Sequence, residues 1–115
     1  MLLTILKSKI HRAIVTDSHI DYDGSITIDE EIMRAAKILP YEKVLVANLA
    51  NGERFETYAI KGPKGSKTFC LNGATAHLGQ KGDPVIILTF VHLTEQQYKK
   101  FKPTVVRMDK NNNIV

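Results

Sequence analysis

Apolar residues along this chain fall into short blocks, and the spacing inside each block predicts its backbone. Ile10 to Val15 and Ile20 to Ile28 read as extended segments. From there the period changes. Ile28, Ile32, Ala35, Ala36 and Leu39 recur at helical spacing, and Thr27 with Glu30 three residues on forms a capping box. Pro40 stops this helix, because the residue before a proline avoids helical angles. Lys43 to Leu49 is rich in β-formers, Asn51-Gly52 is a strong hairpin signal, and Glu53 to Ile60 is the return strand. A turn at Gly62, Pro63 and Gly65 leads to a strand from Thr68 to Leu71, followed by a short helix from Gly73 to Leu78. Lys81 to Pro84 makes a turn, Val85 to His92 a buried strand, Thr94 to Phe101 a helical turn, and Thr104 to Met108 a last strand.

Six or so short strands without regular strand–helix alternation argue for a compact, mainly β barrel with one or two short helices, and against a Rossmann-type sheet. The 115 residues contain no linker and form a single domain, residues 1–115. A chain of this size buries between ~60% and ~70% of its unfolded surface, enough for a core without disulfide staples. The single cysteine forbids an intrachain disulfide and suits a reducing cytoplasm. Met1 to Leu6 is apolar, but Lys7 and Lys9 follow too soon for a signal peptide, and Val85 to Val91 is too short to span a bilayer. A cytoplasmic protein with no membrane partner is expected.

Sixteen basic against twelve acidic residues leave a net charge of +4. Such a balance attracts nucleic acid or small anions only where the cations cluster. Here they are scattered between loops, Lys61, Lys64 and Lys67 in one and Lys99, Lys100 and Lys102 in another. A barrel binding single-stranded nucleic acid needs aromatic platforms among its basic residues, and no such interleaving is present. A nucleic-acid-binding barrel and an inert oligomeric scaffold are the rival readings. Gly62 to Thr68 resembles a phosphate loop but lacks its spacing. His11, His19, His77 and His92 show no short-range metal-ligand pairing, so no metal is expected. Cys70, among strand residues, reads as a small core side chain. No lysine lies in a pyridoxal phosphate motif, so carbanion chemistry here needs another cofactor.

Three segments stand out together. They are Tyr22-Asp23-Gly24-Ser25-Ile26-Thr27-Ile28, then Asn51 to Ile60 with Arg54, Thr57 and Tyr58, then Asn72-Gly73-Ala74-Thr75-Ala76-His77; Lys9 and His11 lie upstream. A Gly-Ser pair alone is an ordinary turn. In this order and spacing, from Met1 to about Pro103, the chain resembles the pyruvoyl-dependent aspartate 1-decarboxylases. The resemblance implies a double-psi β-barrel and a homotetramer. It also implies self-cleavage between Gly24 and Ser25 into residues 1–24 and 25–115, and a pyruvoyl cofactor made from Ser25. The implied activity removes the α-carboxylate of L-aspartate through a Schiff base, giving β-alanine for pantothenate synthesis.

The chemistry makes sense of each residue. The Ser25 hydroxyl attacks the Gly24 carbonyl, the amide becomes an ester, and β-elimination with hydrolysis leaves the pyruvoyl group. Glycine at 24 permits unusual backbone angles and clears the attack path. Backbone strain of ~1–3 kcal/mol gives at most about a hundredfold at ~1.36 kcal/mol per tenfold. Donors aimed at the oxyanion, at ~2.7–4 kcal/mol each, must do more. The resemblance assigns Thr57 to this step and Tyr58 to protonating the carbanion. Arg54 offers a fork for one substrate carboxylate and Lys9 a second positive charge. Gly73, Ala74 and Thr75 present backbone N–H groups at a helix start, Asn72 adds a side-chain amide, and His11 is a weaker candidate.

Asp23 stands where the family commonly has glutamate, Ile26 where it often has cysteine, and Thr75 where it has alanine. Strand alternation puts Arg54 and Tyr58 on one face and Thr57 on the other. One site holds all three only if the strand bends or bulges, or if a neighbouring subunit completes it.

Overall fold

The computed structural model describes residues 1–115. Its first strand, β1 (Leu3–Ile14), begins seven residues before the predicted start at Ile10. The cause lies in its broken alternation. The register against its neighbour shifts between Leu6 and Ser8 and again between Ile10 and Ala13. Arg12, inside the second irregularity, has a φ of 65°. A bulge of this kind reverses the parity of inward positions, so Ser8, Ile10 and Ala13 are all fully buried.

The predicted segment Ile20–Ile28 is a strand only in its second half. Strand β2 (Asp17–His19) ends before it, residues 20–24 turn, and β3 (Ser25–Asp29) begins only at the serine. Helix α1 (Glu30–Ala36) is then capped by Asp29 rather than Thr27, which lies within β3. Asp29 Oδ1 accepts from the Glu31 N–H at 2.8 Å, the geometry of an N-cap. The helix also ends earlier than Pro40 requires. Lys37 adopts left-handed angles, and the Ile38 N–H returns to the Met33 carbonyl at 2.9 Å, closing the C-terminus.

The predicted hairpin is present, with β4 (Lys43–Asn48) antiparallel to β5 (Arg54–Gly62). Strand β6 (Phe69–Asn72) leads into a 3₁₀ helix, Gly73–His77. Strand β7 (Pro84–Leu93) alternates rather than being buried throughout, since it exposes Phe90. The short helix α2 (Glu95–Tyr98) carries a capping box of Thr94 and Gln97, and β8 (Thr104–Arg107) pairs parallel with β1.

Eight strands run in the order β2-β6-β3-β5-β4-β7-β1-β8, with parallel pairs β2–β6, β3–β5 and β1–β8. Beyond β1 the chain crosses to the other end of this order, where the Thr16 N–H donates to the Phe69 carbonyl of β6 at 2.8 Å. The result is the mainly β barrel with two short helices that the pattern implied, though with eight strands rather than six. Eighteen buried apolar residues fill it, including Ile10, Ile26, Ile28, Phe69, Leu71 and Ile87. A pair of buried hydroxyls, Ser8 and Thr89, satisfy each other inside. Asn112 pins the C-terminal segment by bonding the N–H and C=O of Ile14 at 2.8 and 2.9 Å. No helix is long and apolar enough to cross a membrane.

Asp29 does more than cap α1. Its carboxylate also receives the N–H groups of Gly65 at 3.0 Å and Lys67 at 2.7 Å, fastening the loop before β6. Asp29→Ala is therefore expected to cost about 2–3 kcal/mol of unfolding free energy, a cap plus charge-assisted bonds. Urea denaturation checks this, and a loss no larger than that of an exposed-surface substitution contradicts it.

Candidate active site

Strand β3 lies between β5 and β6, and its register fixes what meets the serine. Ser25 pairs with Asn72 and Thr27 with Cys70 across the antiparallel ladder. Successive side chains alternate between faces of a strand, so these four residues share one face. The Asn72 side-chain N–H₂ donates to Ser25 Oγ at 3.0 Å and to Thr27 Oγ1 at 2.9 Å. Cys70 Sγ donates to Asn72 Oδ1 at 3.3 Å. Ser25 is only 2% exposed and Asn72 4%, so these two are shut away from solvent, with Thr27 half-buried beside them. Burial, and then the Asp17 carboxylate, push the Cys70 thiol pKa up and keep it protonated.

The sequence singled out Ser25 and Asn72 but read Thr27 as a helix cap and Cys70 as core. Spacing of two within each strand was the available signal. Both amide hydrogens of Asn72 are engaged by these hydroxyls. The Thr75 hydroxyl donates to the Asn72 carbonyl at 2.8 Å and lies 3.4 Å from the Ser25 carbonyl oxygen. The departure from alanine thus adds a buried hydroxyl beside the serine. Ala74 is exposed.

Gly24 does not adopt the left-handed angles that glycine permits. Apart from its two chain neighbours, a Cβ there meets nothing within 4 Å. The glycine that the geometry demands is Gly73. Its φ is 66°, and a Cβ would fall 2.7 Å from both the Gly24 N and the Tyr22 carbonyl oxygen. The 3₁₀ helix starts flush against the Gly-Ser segment, a close approach that only glycine allows.

The remaining candidates lie elsewhere on the chain. Lys9 and Arg54 line a shared cleft of about 370 Å³ with Asn48, Ile86 and Leu88, and Ser25 is not part of its lining. The lysine and arginine ion pairs of the chain engage Lys7, Arg34, Lys43 and Lys61 and leave these two cations free. Alternation along β5 is unbroken at the site: Arg54, Glu56 and Tyr58 point outward, while Thr57 is half-buried on the other face. Tyr58 stacks loosely on Tyr41, ring centroids 6.3 Å apart. No bulge brings Thr57 and Tyr58 together, which removes one of the two explanations for a shared site. His11 has a buried Nδ1 without a partner, and burial followed by Lys9, Arg107 and Arg12 lowers its pKa, leaving a neutral ring. No group of acidic, histidine or cysteine side chains is arranged to hold a metal.

Fold and site together define a small mixed-sheet β-barrel whose candidate reactive residue is a dry serine preceded by glycine. The pattern of the aspartate decarboxylase family matches residues 1–115, and the chain belongs to that family. A Caldicellulosiruptor saccharolyticus protein named aspartate 1-decarboxylase is 60% identical over 115 residues, covering all of this chain and 90% of the relative. A Pelotomaculum thermopropionicum relative of the same name is 58% identical, covering 100% and 87%. One from Syntrophomonas wolfei is 57% identical, covering 99% and 97%.

Gly73→Ala is expected to push the Tyr22–Gly24 segment away from the serine and to lower thermal stability by several degrees, as ~1 kcal/mol or more of strain implies. Calorimetry together with a crystal structure of the variant checks both; an undisplaced segment at unchanged stability contradicts this role.

Proposed function

We propose that the chain cuts itself between Gly24 and Ser25 and then decarboxylates L-aspartate to β-alanine and carbon dioxide in the cytoplasm, feeding pantothenate synthesis. One observation carries this reading: the hydroxyl of a dry Ser25, next to Gly24, is held by an amide donor. A hydrogen bond donated to Oγ stabilises negative charge developing there as its proton leaves. The free lone pair attacks the Gly24 carbonyl carbon. The amide C–N bond opens, and the departing nitrogen takes up the proton. Loss of the Ser25 Cα proton then breaks the new ester, leaving a Gly24 carboxylate and a dehydroalanine. Water replaces its nitrogen, which departs as ammonia, and residue 25 becomes a pyruvoyl group.

The surrounding residues fit that group. It would be held by Asn72, by the Gly73 segment and by the Thr75 hydroxyl near its amide carbonyl. Such a keto-amide supplies an electrophilic carbonyl for an amine and a conjugated sink for electrons, the role pyridoxal phosphate has elsewhere. Thr57 assists the cleavage and contacts the substrate. Arg54 grips one aspartate carboxylate with two parallel N–H donors, and Lys9 balances the other. Backbone N–H groups of Gly73, Ala74 and Thr75, the first of a helix and so without intrahelical partners, orient it further. Tyr58 returns a proton to the carbon that lost carbon dioxide.

This division of labour calls for a second copy of the chain. In one copy the Lys9–Arg54 cleft and the Ser25 cluster share no lining residue. Ile20, Tyr22, Tyr41, Tyr58 and Phe90 are exposed, apolar surface suited to contact between copies. A homotetramer in which the cleft of one subunit faces the serine of the next completes the site.

Ser25→Ala chains are expected to remain whole at about 12.9 kDa and to release no carbon dioxide from aspartate. Refolding them with Arg54→Ala chains is expected to restore activity in about a quarter of sites, where each subunit supplies its intact half. Labelled aspartate and denaturing mass spectrometry check both. Cleavage of the Ser25→Ala chain, or failure of the mixture to exceed its components, contradicts the proposal.

A further inference from the structure

We propose that Cys70 is a positioning residue, whose thiol decides which end of the Asn72 amide faces Ser25. The inference rests on the reading of Ser25 as the self-cleaving residue and adds to it. A carboxamide has an oxygen end that accepts and a nitrogen end that donates, and hydroxyls do both. Thr27 therefore gives the amide no preferred direction, and Ser25 gives only a slight one, through a long 3.5 Å contact from its hydroxyl to the Asp23 carbonyl. Cys70 adds the deciding bias: its S–H is a weak donor and its sulfur a weak acceptor, and here the S–H is the group turned to the amide. At 3.3 Å it selects Asn72 Oδ1 and turns the N–H₂ toward the two hydroxyls.

The direction has a chemical consequence. With nitrogen toward Ser25, the amide donates to Oγ and favours loss of the hydroxyl proton. With oxygen toward it, the amide accepts that proton as a hydrogen bond and holds it in place. The placement of Cys70 follows from sheet register. It lies opposite Thr27 on β3 and two residues before Asn72 on β6, so its side chain emerges on the same face. On its other side Cys70 is in register with Asp17 of β2. Burial and this carboxylate both disfavour the thiolate, so the donor is retained at neutral pH. Cys70 is itself 7% exposed, and water competes poorly for the amide oxygen.

The test separates the donor from the volume. Cys70→Ser keeps a donor and loses volume; Cys70→Val loses the donor and adds one methyl-sized group. Self-cleavage of freshly refolded chains, followed by intact mass, is expected to run within about twofold of the parent in the serine variant. It is expected to be about fivefold slower in the valine variant, the worth of one net hydrogen bond. In an Asn72→Ala background the valine change is expected to have no further effect. Thermal unfolding confirms that each variant is folded. A valine variant that cleaves as fast as the parent, or slows equally without Asn72, overturns the role. NMR of asparagine-labelled protein reads the orientation independently of cleavage. The Asn72 amide protons are expected close to Thr27 in the parent and serine variant, and not in the valine variant. A parent chain that never cleaves defeats the reading of Ser25, while this proton contact still decides the role of Cys70.

Discussion

The pairing of Ser25 with Asn72 is the constraint on which the rest depends. Antiparallel register sets the start of one strand against the end of another, and both residues then sit in a dry interior. A buried hydroxyl without a partner is costly, so the fold must supply one. Asn72 supplies it, and in doing so holds Oγ in place from one side. The same ladder brings Thr27 and Cys70 beside them, while the 3₁₀ helix that follows Asn72 presses Gly73 against Gly24. Structure and candidate chemistry therefore use the same bonds.

Much of this was legible in the sequence. The hairpin at Asn51-Gly52, the short helix after Asn72 and the helical turn after Thr94 follow from local residue chemistry, and each is present. Features set by distant partners were not legible. The bulges of β1 reverse its inward face, so a twelve-residue strand reads as a shorter one. Asp29 outcompetes Thr27 as the cap because it also binds the Gly65–Lys67 loop, a contact 36 and more residues away. Gly24 drew attention as the residue before the serine, yet the backbone demand falls on Gly73, where close approach rather than cleavage chemistry excludes a side chain.

The candidate residues divide into two groups, and the division has an electrostatic sense. The serine cluster is uncharged and buried, the right medium for a donor to stabilise a developing oxyanion. The cations Lys9 and Arg54 lie in an open cleft with no carboxylate of their own chain. They are available for the carboxylates of a ligand. A dicarboxylic substrate needs both environments at once. Under the proposed function, association of copies joins them without burying a cation beside the serine in the single chain.

Chemical state at residue 25 is the most direct measure of the central claim. Folded parent protein, denatured and separated, should yield a fragment of residues 1–24 ending in a free carboxylate. Its companion should begin at residue 25 with no free α-amine and a carbonyl that reacts with a hydrazine. A single uncut chain, or a companion beginning with an intact serine amine, contradicts the account.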